Sequence, residues 1–139
     1  IDFSPDGNSL IVTHKEFYLN EDPKGKSGIS IFKCCQGSNP GLEREPSYVY
    51  HFGDRALHSI AFHPTEPLMA VTDENGSVEV HRLPAEDEPM TKVASIATLV
   101  GEEGPKGVGF SPDGNLLAAC TVFNEVLLYK VETVFKLPD

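Results

Sequence analysis

A six-residue turn occurs twice, letter for letter, and no other feature limits the possible folds of this chain as strongly. Phe3-Ser4-Pro5-Asp6-Gly7-Asn8 returns as Phe110-Ser111-Pro112-Asp113-Gly114-Asn115, with a degenerate copy, Phe62-His63-Pro64-Thr65-Glu66-Pro67, between them. The phenylalanines are 59 (62 − 3) and 48 (110 − 62) residues apart. In Ser-Pro-Asp-Gly, proline presets φ at the first corner and Asp can bond back to the local backbone. Gly takes the positive φ that strains other residues. Geometry alone accounts for the recurrence, so Asp6 and Asp113 read as turn-makers rather than catalytic acids. His63, at the Ser position of the degenerate copy, reads as a surface turn residue.

The segments after each turn repeat as well. An apolar run comes first: Leu10-Ile11-Val12-Thr13, Leu68-Met69-Ala70-Val71-Thr72, Leu117-Ala118-Ala119-Cys120-Thr121. After a turn comes an alternating run: Gly28-Ile29-Ser30-Ile31-Phe32, Ser77-Val78-Glu79-Val80-His81, Glu125-Val126-Leu127-Leu128-Tyr129. Weaker fourth runs are Tyr48–Phe52 and Ala94–Val100, and Asn75-Gly76 marks a tight hairpin between the second and third strands of the middle unit. Each unit is thus four short strands rich in β-branched and aromatic residues, at a spacing near the roughly 40–50 residues of one propeller blade. No segment shows sustained helical periodicity.

The expected fold class is all-β, a β-propeller fragment of about three four-stranded antiparallel blades forming an incomplete ring. Blade one covers about 1–52, blade two about 56–100 and blade three about 106–139. A propeller needs about four to eight blades to close. Three in a row expose apolar faces that neighbours would otherwise bury. The chain starts inside a first strand, at Ile1-Asp2-Phe3, and stops at Leu137-Pro138-Asp139 where a fourth strand is just under way. Three explanations stand, in order: a longer native chain, a partner supplying blades, or self-association into a closed ring.

These residues resemble the blades of WD-repeat proteins and of the related lactonase-type propellers, over nearly the whole chain. Phe-Ser-Pro-Asp-Gly-Asn followed by an apolar strand is the most specific part. WD repeats commonly carry Gly-His before the first strand, where Gly53-Asp54 and Gly101-Glu102 stand here. The Trp-Asp that closes their third strand is replaced by Phe32-Lys33, His81-Arg82 and Tyr129-Lys130, and the chain has no tryptophan. The polar network of those signature residues is therefore expected to be absent.

Charge and composition narrow the functions. With 21 acidic against 11 basic residues the net charge is −10, and no Lys/Arg cluster overrules it, which argues against nucleic acid and anionic membranes. No apolar stretch approaches the roughly 18 residues of a membrane span. Three cysteines make no disulfide framework: Cys34 and Cys35 are adjacent, and Cys120 lies in an apolar run that predicts a buried thiol. A reducing, intracellular compartment is mildly favoured. The histidines lack metal-ligand spacing, and neither a phosphate loop nor a nucleophile elbow occurs, so no catalytic, cofactor or metal residue is assigned.

The resemblance implies that the loops joining second to third strands, and each fourth strand to the next blade, share one end. That end gathers His14, Lys15, Asp54, Arg55, Asp73, Glu74, Glu102, Glu103 and Asn124. The link from His14 to Gly28 is long, and its Phe17-Tyr18-Leu19 triplet is either a partner anchor or packing on its own blade. The expected partner-binding set is therefore Phe17, Tyr18, Leu19, Asp54, Arg55, Asp73, Glu74, Glu102, Glu103 and Asn124. The preferred function is a non-catalytic scaffold for a protein partner, within a larger propeller or assembly. The alternative is a lactonase-like hydrolase of a small sugar lactone, with Asp54, Asp73, Glu102 and Asn124 converging at the channel mouth.

Overall fold

The structure is a computed structural model that describes residues 1–15, 27–35, 41–53, 55–84, 89–97, 106–121 and 123–134. The described residues form antiparallel sheets and one helical turn, in two compact units, Ile1–Leu57 and His58–Asp139.

The first unit holds blade one. Strands β1 (Asp2–Phe3), β2 (Ser9–Lys15) and β3 (Ser27–Cys35) are laid side by side, Phe3 opposite Leu10 and Leu10 opposite Phe32. The outer edge is shared. The two-residue β4 (Gly41–Leu42) pairs with Cys34 and Cys35 at the far end of β3, while β5 (Tyr48–Gly53) pairs with its first half. This extension of β3 and its extra return strand lie within the longer first interval of the repeat. Alternation along the strands places Ile11 and Ile29, both at 0% exposure, on one face. Phe3, Leu10, Val12 and Phe32 fall on the other, where Phe3 is 57% exposed.

The second unit holds blades two and three. Blade two is β6 (Leu57–Phe62), β7 (Leu68–Asp73), β8 (Ser77–Arg82) and β9 (Thr91–Ala97), in sequence order. All six residues of β7 are buried, so its near-continuous apolar run reflects burial on both faces rather than alternation. Blade three has three strands among the described residues: β10 (Gly107–Phe110), β11 (Leu116–Cys120) and β12 (Val126–Lys130). One helical turn, α1 (Val131–Val134), comes next, and the expected start of a fourth strand at 137–139 lies outside the described residues.

The core of this unit lies between the two sheets. Leu68, Ala70, Val78 and Val80 of blade two pack with Leu117, Ala119 and Val131, flanked by Val108, Phe110 and Tyr129. Blade three alternates sharply: Leu117 and Ala119 point inward at 0% and 1% exposure, whereas Val126 and Leu128 are each 65% exposed. Cys120 shares the outward face with Leu116, so its thiol is exposed, not buried as the apolar run predicted. The run sits on a strand with one covered side, and position 120 falls on the other.

Candidate functional site

The repeated turns set the frame. In blade one the Ser4 hydroxyl donates to Asp6 Oδ1 at 2.6 Å, the Asn8 backbone N–H to the same oxygen at 2.9 Å and the Asn8 amide to Oδ2 at 3.0 Å. Ser111, Asp113 and Asn115 repeat these bonds at 2.6, 3.0 and 3.0 Å. The Ser4 hydroxyl, then the Asn8 backbone and side chain, hold the Asp6 carboxyl below the usual range, and Ser111 and Asn115 do the same for Asp113. Both carboxylates serve the turns, as their spacing predicted.

His63 departs from expectation. It is buried at 5% exposure, and its ring holds two turns together. Nδ1 accepts the backbone N–H groups of Thr65 and Glu66 at 3.2 and 2.9 Å, so Nε2 carries the proton and donates to the Gly114 carbonyl at 3.1 Å. The ring also meets Phe110 edge-on, centroids 5.1 Å apart. The degenerate turn has lost the Asp of the other copies, and imidazole takes over its acceptor role while reaching the next blade. The signal present in the sequence was the loss of Asp and the gain of His within one motif.

A second buried polar pair lies on β8. His81 Nε2–H donates to Glu79 Oε2 at 3.0 Å, and Lys92 Nζ stands 3.8 Å from Oε1. His81 and Glu79 are 1% and 5% exposed. His81 stands where a WD repeat has tryptophan. A local pair, two residues apart on one face of one strand, occupies the position, made of residues other than the WD-repeat signature ones.

The loop end of the second unit contains the turn from Asp73 to Ser77 and the turn from Thr121 to Glu125. Lys106 Nζ donates to His58 Nε2 at 3.1 Å there, bringing the starts of β10 and β6 together. Asp73 is 2% exposed, and its Oδ1 accepts the N–H groups of Asn75 and Ser77 at 2.9 and 3.1 Å, so its carboxylate shapes the turn. Glu74 is half-buried, and Asn124 is exposed in a left-handed corner, φ 62°. In the first unit Arg55 is half-buried after β5, and His14 lies over Gly28, whose missing Cβ leaves room for the ring. Phe17, Tyr18, Leu19, Asp54, Glu102 and Glu103 lie outside the described residues.

Among the described residues no group of three or more His, Cys, Asp or Glu could hold a metal ion. No described helix is long and apolar enough to cross a membrane. Burial pushes the Tyr129 phenol up from its usual value, in keeping with its seat beside the core.

Known proteins give these sheets their context. No family model matches the chain. A Striatin homolog of Dictyostelium discoideum is 28% identical over 91 residues, 58% of this chain but only 11% of that protein. A chain of the solved COPII outer coat vertex on membranes matches at a TM-score of 0.74 with 14% identity, covering 98% of this chain and 34% of its own. The beta-propeller domain of Myceliophteria thermophila Cps50 (Swd1) matches at 0.68 with 16% identity, covering 94% of this chain and 37% of its own. This chain therefore spans about a tenth of the curated relative and about a third of these structures. It is a strand-rich set of antiparallel propeller blades that resemble those of WD-repeat proteins.

Proposed function

We propose that the chain is a non-catalytic propeller scaffold, part of a larger propeller or assembly, whose blade ends engage a protein partner. The observation that carries this reading is the contrast between equivalent links on one scaffold. Blade two turns from β7 to β8 in three residues, 74–76, whereas blade one leaves eleven, 16–26, between β2 and β3. The long link holds Phe17, Tyr18 and Leu19, side chains suited to anchoring a partner. Similarity in fold to a chain of the COPII outer coat vertex on membranes supports a role in protein association. In the first unit Asp54 and Arg55, and in the second Glu74, Glu102, Glu103 and Asn124, are the charged and polar residues assigned to these blade ends.

The test is affinity capture with the chain and its Phe17→Ala/Tyr18→Ala variant, the recovered proteins being identified by mass. Loss of one defined partner with unchanged far-UV circular dichroism supports the anchor. Equal recovery removes this loop from the account.

A further inference from the structure

Two histidines that stand 37 residues apart in sequence (51 − 14) meet in blade one. His14 of β2 lies opposite Gly28 of β3, and Gly28 lies opposite His51 of β5. Residues opposite one another across a ladder share a face, so the glycine separates two imidazoles on one side of the sheet. Their ring centroids are 6.5 Å apart, with the planes at 85°. A bulge at Phe52, between the pairs Ser27–Gly53 and Gly28–His51, interrupts the ladder beside His51. Such irregularities recur next to functional sites, where they re-aim a neighbouring side chain.

Gly28 lets the rings approach. A Cβ there would stand 3.0 and 3.2 Å from Cε1 and Nε2 of His14, and 2.6 Å from the Tyr50 carbonyl oxygen. The same close fit takes Nε2 out of water, and among the described residues it has no hydrogen-bond partner. A buried ring nitrogen in that state calls for a cause, and a metal ion supplies one. With metal–nitrogen distances of about 2.0–2.1 Å, two imidazoles on one ion have centroids about 5–6 Å apart. His51 is exposed, so its side chain has room for the small rotation that closes the 6.5 Å separation.

We infer that His14 and His51 form a two-histidine site for a divalent transition-metal ion (zinc, nickel or copper), with water completing the coordination. Imidazole suits these ions, whereas magnesium and calcium take oxygen ligands. Two imidazoles are fewer than the four protein ligands of a closed structural zinc site, so binding is reversible and yields to chelators. The bound ion clips β2 to β5 across β3, at the last residue but one of β2 and thus just before the 16–26 link in sequence. The site needs only three adjacent strands of the first unit, and it stands or falls apart from the partner-binding reading.

Equilibrium dialysis of the chelator-treated full chain against Zn²⁺ and Ni²⁺, with metal analysis, provides the test. A Cys34→Ser/Cys35→Ser/Cys120→Ser background of unchanged circular dichroism removes thiolate ligands. The expected result is one ion per chain and no uptake of Mg²⁺. His14→Ala or His51→Ala should lower affinity about tenfold or more, at least the loss caused by removing a residue that supports a metal ligand. His51→Ala, at an exposed position, keeps the test valid if His14→Ala fails to fold. Long-range proton–nitrogen NMR locates the ion: Zn²⁺ should shift the ring nitrogens of His14 and His51 and leave those of His63 and His81 in place. No uptake of either ion, equal affinity in the His51→Ala chain, or shifts confined to other histidines would each overturn the inference.

Discussion

Replacing Gly114 with Ala tests the account of the second unit most sharply, because two separate penalties meet at one atom. Gly114 has φ +75°, and a Cβ built there would lie 2.5 Å from both Cε1 and Nε2 of His63. The left-handed conformation costs a non-glycine residue about 1–2 kcal/mol. Moving the imidazole away breaks its bond to the Gly114 carbonyl in a buried place, which costs about 1–3 kcal/mol more. The total is about 2–5 kcal/mol. Gly7 is the control, with the same turn, φ +71° and nothing within 4 Å of its added Cβ, so Gly7→Ala should cost about 1–2 kcal/mol from backbone strain alone. Urea denaturation followed by circular dichroism measures both. A cycle with His63→Ala isolates the contact: without the ring, Gly114→Ala should lose the extra cost, giving a coupling of about 1–3 kcal/mol. Zero coupling, or equal costs at positions 7 and 114, would refute the reasoning.

Three further outcomes are expected. Glu79→Leu or His81→Tyr alone should destabilise by about 1–3 kcal/mol, because each removes a hydrogen bond between two buried side chains. The double variant copies Leu127 and Tyr129, their counterparts in blade three, and should melt within a few degrees of wild type in thermal scans. The lowered carboxyls of Asp6 and Asp113 stabilise their turns above the ordinary value of 3.8, and this contribution is lost as pH falls through the lower folded-state value. Carbon-detected NMR titration should show both carboxyls titrating below 3.8, and Ser111→Ala should move Asp113 back toward it. The raised Tyr129 phenol acts at the opposite extreme: stability is intact below pH 10.0 and falls as pH rises through the folded-state value. Tyr129→Phe should remove that part of the alkaline loss in pH-dependent denaturation midpoints.

The turns and strands were legible because their causes are short-range. Ser-Pro-Asp-Gly-Asn contains every donor and acceptor it needs, and Ser4 and Ser111 meet their carboxylates at identical distances. The role of His63 was not legible because its partner, Gly114, is 51 residues away, and only packing of two sheets brings them together. Cys120 eluded the sequence for a related reason: an apolar run does not state which of its sides will be covered. Of the loop-end set, Asp73 looked like a surface carboxylate, yet it lies inward because a tight turn needed an acceptor for two N–H groups. The Phe17-Tyr18-Leu19 link carries no repeat pattern, so nothing in the sequence fixes what it touches.

The left-handed corner at Asn124 occupies the place that Gly76 fills in the preceding blade, 48 residues earlier. Two different residues thus satisfy one backbone demand, and the strands leaving each corner take the same antiparallel course. The hairpin tips are in this sense interchangeable fittings: a tip can be exchanged, and its surface chemistry rewritten, while the sheets beneath keep their register. Such a chain can acquire new specificities at its rim with little disturbance to its interior.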